Sequence, residues 1–170
     1  MLAVRAGDLA AFEHLVVRHQ SSAWNAAYRF LGDAAEAEDL AQEAFLKILD
    51  AAPRYQPTAK FRTYLYRVVT RLCLDSVQKK KPFYTENVPN LPADDLSPLD
   101  ILSSEEMGRR IREALDQLPP KQRMTIILRY YQGLGYAEIA SAMETTAKAV
   151  ERQLARARSA LETILGELLE

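Results

Sequence analysis

Four side chains between residues 60 and 71 have the types and spacing of a nucleic-acid contact. Lys60, Tyr64, Arg67 and Arg71 recur at intervals of four, three and four residues, which places them along one face of an α-helix. Ammonium and guanidinium groups bind phosphates, and a tyrosine ring can stack on an unpaired base. The pattern favours contact with single-stranded or melting nucleic acid. The alternative is an ordinary solvated face with extended arginine stems.

The same segment carries an apolar face that requires it to be helical. Phe61, Leu65, Val68 and Leu72 are spaced by four, three and four residues, a period that a strand cannot have. Cys73 lies beside this face, so we expect a small buried hydrophobe there and not a redox sensor. From Arg54 to Lys81 the segment holds eight basic residues and one acidic residue.

An acidic helix precedes this basic segment. Residues 33–50 contain six carboxylates and one lysine, and Glu36, Asp39 and Glu43 are spaced to share a face. Together with Gln42 they form a patch that could dock on a basic protein surface, although a solvated helix face has the same spacing. No His, Ser or metal ligand accompanies the carboxylates, so we expect no catalytic site.

The C-terminal third has the spacing of a helix-turn-helix. A short apolar-faced helix over 136–143 is followed by a turn over 144–146 and a longer helix. The longer helix should pack through Val150, Leu154, Ala157 and Leu161, which leaves Lys148, Arg152 and Arg156 outside. In a helix-turn-helix that outer face enters the major groove of DNA. A plain four-helix bundle with a charged exterior is the alternative.

Composition narrows the class of protein. The 170 residues carry a net charge of -1, one Cys and two His, so neither an internal disulfide nor a Cys/His metal site is expected. No phosphate-binding glycine loop is present. We therefore predict a protein that is not an enzyme and that has no cofactor or metal. With no signal peptide or apolar run of about 18 residues, we expect a cytoplasmic chain that does not insert into a membrane.

The predicted fold is all-α, with two small helical domains at residues 1–81 and 105–170. A flexible linker over 82–104 separates them; it holds four of the eight prolines, four acidic residues and no basic residue. Outside the linker, no segment alternates with a period of two over more than a few residues. The helices are expected at 8–32, 34–49, from 58 onward, 105–118, 120–132, 136–143 and 146–168.

Four motifs in this order resemble the extracytoplasmic-function (ECF) sigma factors, the compact two-domain branch of the sigma-70 family. They are DLAQEAFLKIL, KFRTYLYRVVTRLCLDSVQKKK, LDQLPPKQRMTIILRYYQGLGYAEIASAM and AVERQLARARSAL, with the acidic Pro-rich linker between the second and the third. The resemblance implies a factor that binds core RNA polymerase and directs promoter-specific initiation. It would read the -35 element as duplex and the -10 element as a melted strand.

The resemblance also assigns roles by position. The implied partners are the clamp helices of the polymerase largest subunit, the flap region, promoter DNA and an anti-sigma factor. The implied clamp contacts are Asp39, Leu40, Gln42, Glu43 and Phe45. The implied -10 contacts are Thr58, Ala59, Lys60, Tyr64, Arg67, Arg71, Lys79, Lys80 and Lys81. The implied -35 contacts are Thr146, Lys148, Ala149, Arg152, Gln153 and Arg156.

Two positions depart from the common pattern of that family. Met143-Glu144 stands where many relatives have Leu-Gly, so a residue with a Cβ occupies a turn position that often needs a positive φ. Glu151 puts a negative charge on the recognition helix. Two other classes of function stay open on the residues alone: a stand-alone helix-turn-helix regulator that binds operators as a dimer, and an α-helical adaptor.

Overall fold

Helices make up both described parts of the chain. A computed structural model describes residues 1–79 and 98–169, with side chains over 1–79 and 107–166. No strand occurs in these two ranges, in agreement with the predicted all-α fold. The α-helices are α1 (Leu2–Arg5), α2 (Leu9–Leu31), α3 (Ala34–Ala51), α4 (Phe61–Lys79), α5 (Pro98–Asp116), α6 (Pro120–Ile126), α7 (Tyr136–Ala142) and α8 (Ala147–Leu169).

Local capping explains where the first long helices begin and end. The Asp8 carboxylate accepts a hydrogen bond from the Ala11 amide at 3.0 Å, and Asp33 does the same for the Glu36 amide at 2.8 Å. Gly32 ends α2 with φ 74°, in the left-handed region that glycine enters without a steric penalty. The predicted starts and stops of α2 and α3 are confirmed to within about two residues.

Three boundaries differ from the sequence-based expectation. Helix α5 begins at Pro98, seven residues before the predicted start at 105, since proline is well tolerated in the first helical turn. Helix α6 ends at Ile126 and continues as a π-helical turn over Ile127–Tyr131, where the Gln132 amide donates to the Ile127 carbonyl. Helix α1 was not predicted because four residues are too few to show a period. The predicted linker positions 82–97 lie outside the described residues.

Helices α1 to α4 form the N-terminal module. Helix α2 packs on α3 and α4, and α3 packs on α4. Phe30, Ile48, Leu65 and Val69 are fully buried at the centre of this module. Cys73 is also fully buried, as its position beside the apolar face predicted.

Helices α5 to α8 form the C-terminal module. Helix α8 packs on α5, α6 and α7, and the fully buried side chains include Met124, Leu128, Ile139, Val150 and Leu154. The two modules touch: α4 packs against α7, and α2 packs against the π-helical turn. The buried apolar side chains of both modules form one continuous cluster.

Candidate nucleic-acid and polymerase interfaces

The basic and aromatic stripe of α4 and its preceding loop is partly exposed. Lys60 and Arg71 are exposed, whereas Tyr64 is half-buried with its ring centroid 5.3 Å from that of Tyr55. Burial raises the pKa of the Tyr64 phenol, and the nearby Tyr55 adds to the rise, so the ring stays neutral at physiological pH. A neutral ring of this kind is suited to stacking.

Arg67 has a different environment from the rest of the stripe. Its Nε donates to the Ser141 carbonyl oxygen at 3.1 Å, and its Nη2 donates to the Ser141 hydroxyl oxygen at 2.8 Å. Ser141 belongs to α7, the first helix of the predicted helix-turn-helix. The predicted DNA contact is therefore engaged with the other module, which the helical period of α4 alone could not show.

The buried face of α4 is wider than predicted. Leu65 is fully buried, but Phe61, Val68 and Leu72 are only half-buried. Thr63, Tyr66 and Thr70 are buried in addition, and Tyr66 and Thr70 lie on the side of α4 that meets the C-terminal module. The expectation of a single apolar stripe is corrected here, because α4 is covered from two sides.

The loop before α4 and the end of α4 present further predicted contacts. Thr58 is exposed, Ala59 is half-buried, and Lys79 is exposed at the last turn. Phe61 is half-buried and packs its ring against His19 with centroids 5.1 Å apart. The predicted contacts Lys80 and Lys81 lie outside the described residues.

The helix-turn-helix prediction matches the geometry of α7 and α8. Val150, Leu154 and Ala157 are buried on one side of α8, and Leu161 is half-buried. The Thr146 hydroxyl accepts from the Ala149 amide at 3.2 Å and so caps the helix. The predicted cationic face is open to solvent: Lys148, Arg152 and Arg156 are exposed.

Two of the predicted -35 residues lie deeper than the others. Ala149 and Gln153 are half-buried, and the Gln153 side-chain oxygen lies 2.9 Å from the hydroxyl of the fully buried Thr125. Gln153 therefore joins α8 to α6. Its amide group cannot extend into a groove without giving up that contact.

The turn between α7 and α8 contains the one non-glycine residue with positive φ among the described residues. Glu144 has φ 51°, the conformation expected from its place in the sequence. A side chain in the left-handed region costs on the order of 1 kcal/mol relative to glycine. The helix-turn-helix geometry is thus kept in spite of an unfavourable residue.

Fewer of the predicted polymerase-contact residues of α3 are exposed than expected. Asp39, Gln42 and Glu43 are exposed, and Glu43 forms an exposed ion pair with Lys47 at 3.3 Å. Leu40 and Phe45 are each only 6% exposed and support the helix from beneath. A further correction concerns Glu36, which is half-buried and accepts a hydrogen bond from the Ser76 hydroxyl of α4 at 2.7 Å.

A groove between α2 and α3 adjoins this face and was not predicted. It has a volume of about 540 Å³ and includes Trp24, Gln42 and Phe45 in its lining. The Trp24 ring stacks on Tyr28 with centroids 4.8 Å apart and an interplanar angle of 11°. The signal in the sequence was the shared face of Trp24 and Tyr28, which by itself indicated only packing.

Within the described ranges, no group of three or more His, Cys, Asp and Glu side chains is placed to hold a metal ion. Burial raises the pKa of the Cys73 thiol far above its ordinary value, and the charge of Glu36 acts in the same direction. Among the described residues, no helix is long and apolar enough to span a membrane.

Comparison with known families matches both modules. Residues 15–83 match the model for sigma-70 region 2, and residues 108–161 match the model for sigma-70 region 4. The chain is 34% identical to the ECF RNA polymerase sigma factor SigW of Bacillus subtilis over 97% of this chain and 94% of that one.

Two solved structures share the fold. The structure of CnrH in complex with the cytosolic domain of CnrY superimposes with a TM-score of 0.75 at 24% identity, over 97% of this chain and 94% of that one. The sigma factor RpoE from Bartonella quintana, in complex with the anti-sigma factor NepR, gives 0.68 at 20% identity over 92% and 97%. Because the relationship to SigW extends along nearly all of both chains, this protein belongs to the ECF sigma factors of the sigma-70 family, which are alternative sigma factors that direct transcription initiation.

Proposed function

We propose that this sigma factor uses three separate surfaces. The exposed face of α8 binds the -35 element as duplex, the stripe of α4 binds the melted -10 strand, and the acidic face of α3 binds core RNA polymerase. The observation that carries the proposal is the division of α8 into a buried apolar side and an open side with Lys148, Arg152 and Arg156. Those three cations occupy successive turns, as contact along a groove requires.

The direct test is transcription with purified core polymerase on a promoter library. We expect defined start sites that depend on both the chain and the polymerase. The contrary result would be tight binding to palindromic operators without polymerase, which is the behaviour of a stand-alone dimeric regulator.

The α8 face is tested by charge reversal on matched positions. Arg152→Glu with Arg156→Glu should abolish protection of the -35 element, because two phosphate or base contacts become repulsive. Arg158→Glu is the control: Arg158 is also exposed on α8 but lies about 160° from Arg156 around the helix axis, because each residue turns the helix by about 100°. Equal loss in the control would indicate a general charge effect and would contradict the assigned face.

The α3 face is proposed to bind the clamp helices of the polymerase largest subunit, and the neighbouring groove supplies apolar area. Asp39 and Glu43 provide exposed negative charge, and Trp24 is half-buried at the groove. Asp39→Arg with Glu43→Arg should weaken binding to core polymerase at least tenfold, the equivalent of about 1.4 kcal/mol. Glu162→Arg, an exposed reversal on α8, should leave that affinity unchanged.

The α4 stripe is proposed to act after polymerase binding. Arg67→Glu with Arg71→Glu should block open-complex formation while core binding persists. Permanganate reactivity of promoter thymines measures the melting directly. Normal promoter melting by this variant would show that the α4 stripe is not needed for open-complex formation.

We further propose that the chain acts in the cytoplasm by binding alone, without catalysis, and that an anti-sigma factor regulates it. The support for the regulator is the likeness of the fold to RpoE, which was solved with the anti-sigma factor NepR. Co-purification from cells followed by mass spectrometry would identify such a partner, and its addition should inhibit transcription from the mapped start sites.

A further inference from the structure

The loop over 55–60, between α3 and α4, carries three of the proposed -10 contacts. They are Thr58, Ala59 and Lys60. The loop begins at Tyr55, directly after a 3₁₀ turn over Ala52–Arg54, and ends where α4 begins. Within it, the Thr58 amide donates to the Gln56 carbonyl oxygen at 2.8 Å. A surface loop of this length takes its position largely from the points where it is attached to the rigid elements.

Tyr55 is the attachment point at the start of the loop. It is 8% exposed, and its ring centroid lies 5.3 Å from that of Tyr64 in the α4 stripe, at an interplanar angle of 60°. Gln56 comes next and precedes Pro57, which restricts Gln56 to extended conformations, and the pyrrolidine ring fixes φ of Pro57 itself. The segment from Tyr55 to Thr58 is therefore short and stiff, so a shift at Tyr55 is carried directly to Thr58.

Arg5 of α1 binds the backbone at this point. Its Nη1 donates to the Tyr55 carbonyl oxygen at 3.2 Å, across 50 positions of sequence, and the contact is partly shielded from solvent. Tyr55 has φ -61° and ψ 132°, so its carbonyl no longer points along the preceding 3₁₀ turn and needs a partner outside it. That carbonyl belongs to the planar peptide unit that joins Tyr55 to Gln56. The hydrogen bond therefore fixes the orientation of the first peptide plane of the loop.

Helix α1 has only four residues, so it depends on the rest of the module for its position. Val4 is 5% exposed and anchors the helix, and α1 packs on both the 3₁₀ turn and α2. Backbone hydrogen bonds close its C-terminal end: the Gly7 amide donates to the Val4 carbonyl oxygen at 2.9 Å, and the Asp8 amide donates to the Ala3 carbonyl oxygen at 3.0 Å. Arg5 is thus held on a packed helix that leads directly into the N-cap of α2.

We propose that Arg5 is a positioning residue for -10 recognition: from α1 it holds the Tyr55 carbonyl and so sets the direction in which the 55–60 loop meets the melted strand. Arg5 acts through Tyr55 and makes no contact with DNA itself. The same bond keeps the Tyr55 ring against Tyr64, so the loop and the α4 stripe form one continuous surface. The proposal rests on the proposed role of the stripe and of the loop before it.

The mobility of the loop in the free full-length chain is the first test. A nitroxide attached to Thr58→Cys reports this mobility by electron paramagnetic resonance, without DNA or polymerase, and the buried Cys73 should not take up the label. Arg5→Met should shift the spectrum toward the mobile component, whereas Arg5→Lys, which keeps a donor and the charge, should retain most of the restraint. Arg54→Met is the matched control, because it removes one exposed cation from the adjacent 3₁₀ turn. Equal mobility in Arg5→Met and the parent protein overturns the proposal.

Val4 tests whether the restraint comes through α1. Val4→Asn places an amide at a buried apolar position and should release the helix, so it should raise loop mobility as Arg5→Met does. Leu2→Asn, on the same helix at a position that is 58% exposed, should not. When Val4→Asn and Arg5→Met are combined, the second change should add little, because both remove the same contact. Full additivity would mean that Arg5 and α1 act independently, contrary to the proposal.

Promoter selection with core polymerase is the second test. On a library with randomised -10 and -35 elements, Arg5→Met should reduce the preference for the best -10 bases about two- to tenfold, the equivalent of one hydrogen bond, and leave the -35 preference unchanged. A loss of stability alone would lower all transcripts and leave both preferences as they are. An unchanged -10 preference, or an equal reduction at both elements or in Arg54→Met, overturns the positioning role. If the parent chain itself gives no polymerase-dependent transcripts, the proposed function fails, while the nitroxide spectra still decide whether Arg5 holds the loop.

Discussion

The Arg123 guanidinium donates a hydrogen bond to the Phe30 carbonyl oxygen at 2.9 Å, so a residue of α6 completes the C-terminal end of α2. The same side chain is 14% exposed and pairs with the Asp116 carboxylate at 3.0 Å. Burial lowers the pKa of Arg123, and Asp116 opposes that shift, so the group remains a cation at physiological pH. One side chain thus links a helix end, an ion pair and the module interface.

We predict that Arg123→Met lowers the free energy of unfolding by about 2–4 kcal/mol, since it leaves Asp116 and the α2 carbonyls without their cation. Urea denaturation followed by circular dichroism measures the change. Arg109→Met is the control, because Arg109 forms an exposed ion pair with Glu113 at 3.3 Å and should matter by less than about 1 kcal/mol. Similar losses in both variants would mean that Arg123 has no special part in the interface.

Gln153 and Arg152 are adjacent on α8 and should behave in opposite ways. Gln153→Ala is expected to lower stability by about 0.5–1.5 kcal/mol, because the polar contact between α6 and α8 is lost while the Thr125 hydroxyl keeps the Lys121 carbonyl oxygen as an acceptor at 2.7 Å. Arg152→Ala should stay within about 0.5 kcal/mol of the parent protein and instead weaken DNA binding. Thermal unfolding and footprinting on the same samples separate the two effects; a stability loss confined to Arg152→Ala would refute this division of roles.

Glu144→Gly should stabilise the protein by up to about 1 kcal/mol, since glycine adopts φ 51° without the steric cost of a Cβ. Glu144→Ala removes the same carboxylate but keeps the Cβ, and it should show no such gain. Comparison of the two midpoints of thermal unfolding isolates the backbone effect. Equal midpoints would show that the turn is unstrained.

The Cys73 thiol should be unreactive in the native protein. It is fully buried, and burial raises its pKa well above the ordinary range, so almost no thiolate forms at neutral pH. We expect Ellman's reagent to modify it only at the rate of unfolding, and fully in denaturant. Rapid modification under native conditions would contradict the position of Cys73 in the core.

His19 should make stability depend on mildly acidic pH. Burial first, and then the charges of Arg18 and Arg62, lower the pKa of the imidazole beside Phe61. The unfolded chain therefore binds this proton at a higher pH than the folded chain does, so stability is fully present above the ordinary pKa of 6.5 and falls as pH drops through the lower folded value.

The effect should be modest because the ring is only partly buried. The difference in unfolding free energy between the parent protein and His19→Asn isolates it from other titrating groups. As pH falls from about 7 to about 5, the parent protein should lose unfolding free energy relative to His19→Asn. A difference that does not vary with pH would exclude His19 as the source.

The sequence alone determined the bounds of α2 and α3 and the buried sides of α4 and α8, because their signals are local. Asp8 and Gly32 mark the two ends of α2, and the three-and-four spacing around Leu65 placed one side of α4 in the core. The same spacing separated the buried Val150 and Leu154 from the cationic face of α8. Family motifs in register then indicated the ECF sigma factors, which the comparisons confirmed.

Only the tertiary structure decided what the polar faces meet. The spacing of α4 places Arg67 outside the apolar stripe, but whether it meets water, DNA or Ser141 depends on a partner 74 positions away. In the same way Gln153 contacts Thr125, Glu36 accepts a hydrogen bond from Ser76, and the groove at Trp24 is formed by residues of α2 and α3 together. A period fixes the direction of a side chain on its own helix. The packing of helices that are distant in sequence decides which group that side chain contacts. A local sequence pattern carries no information about that partner.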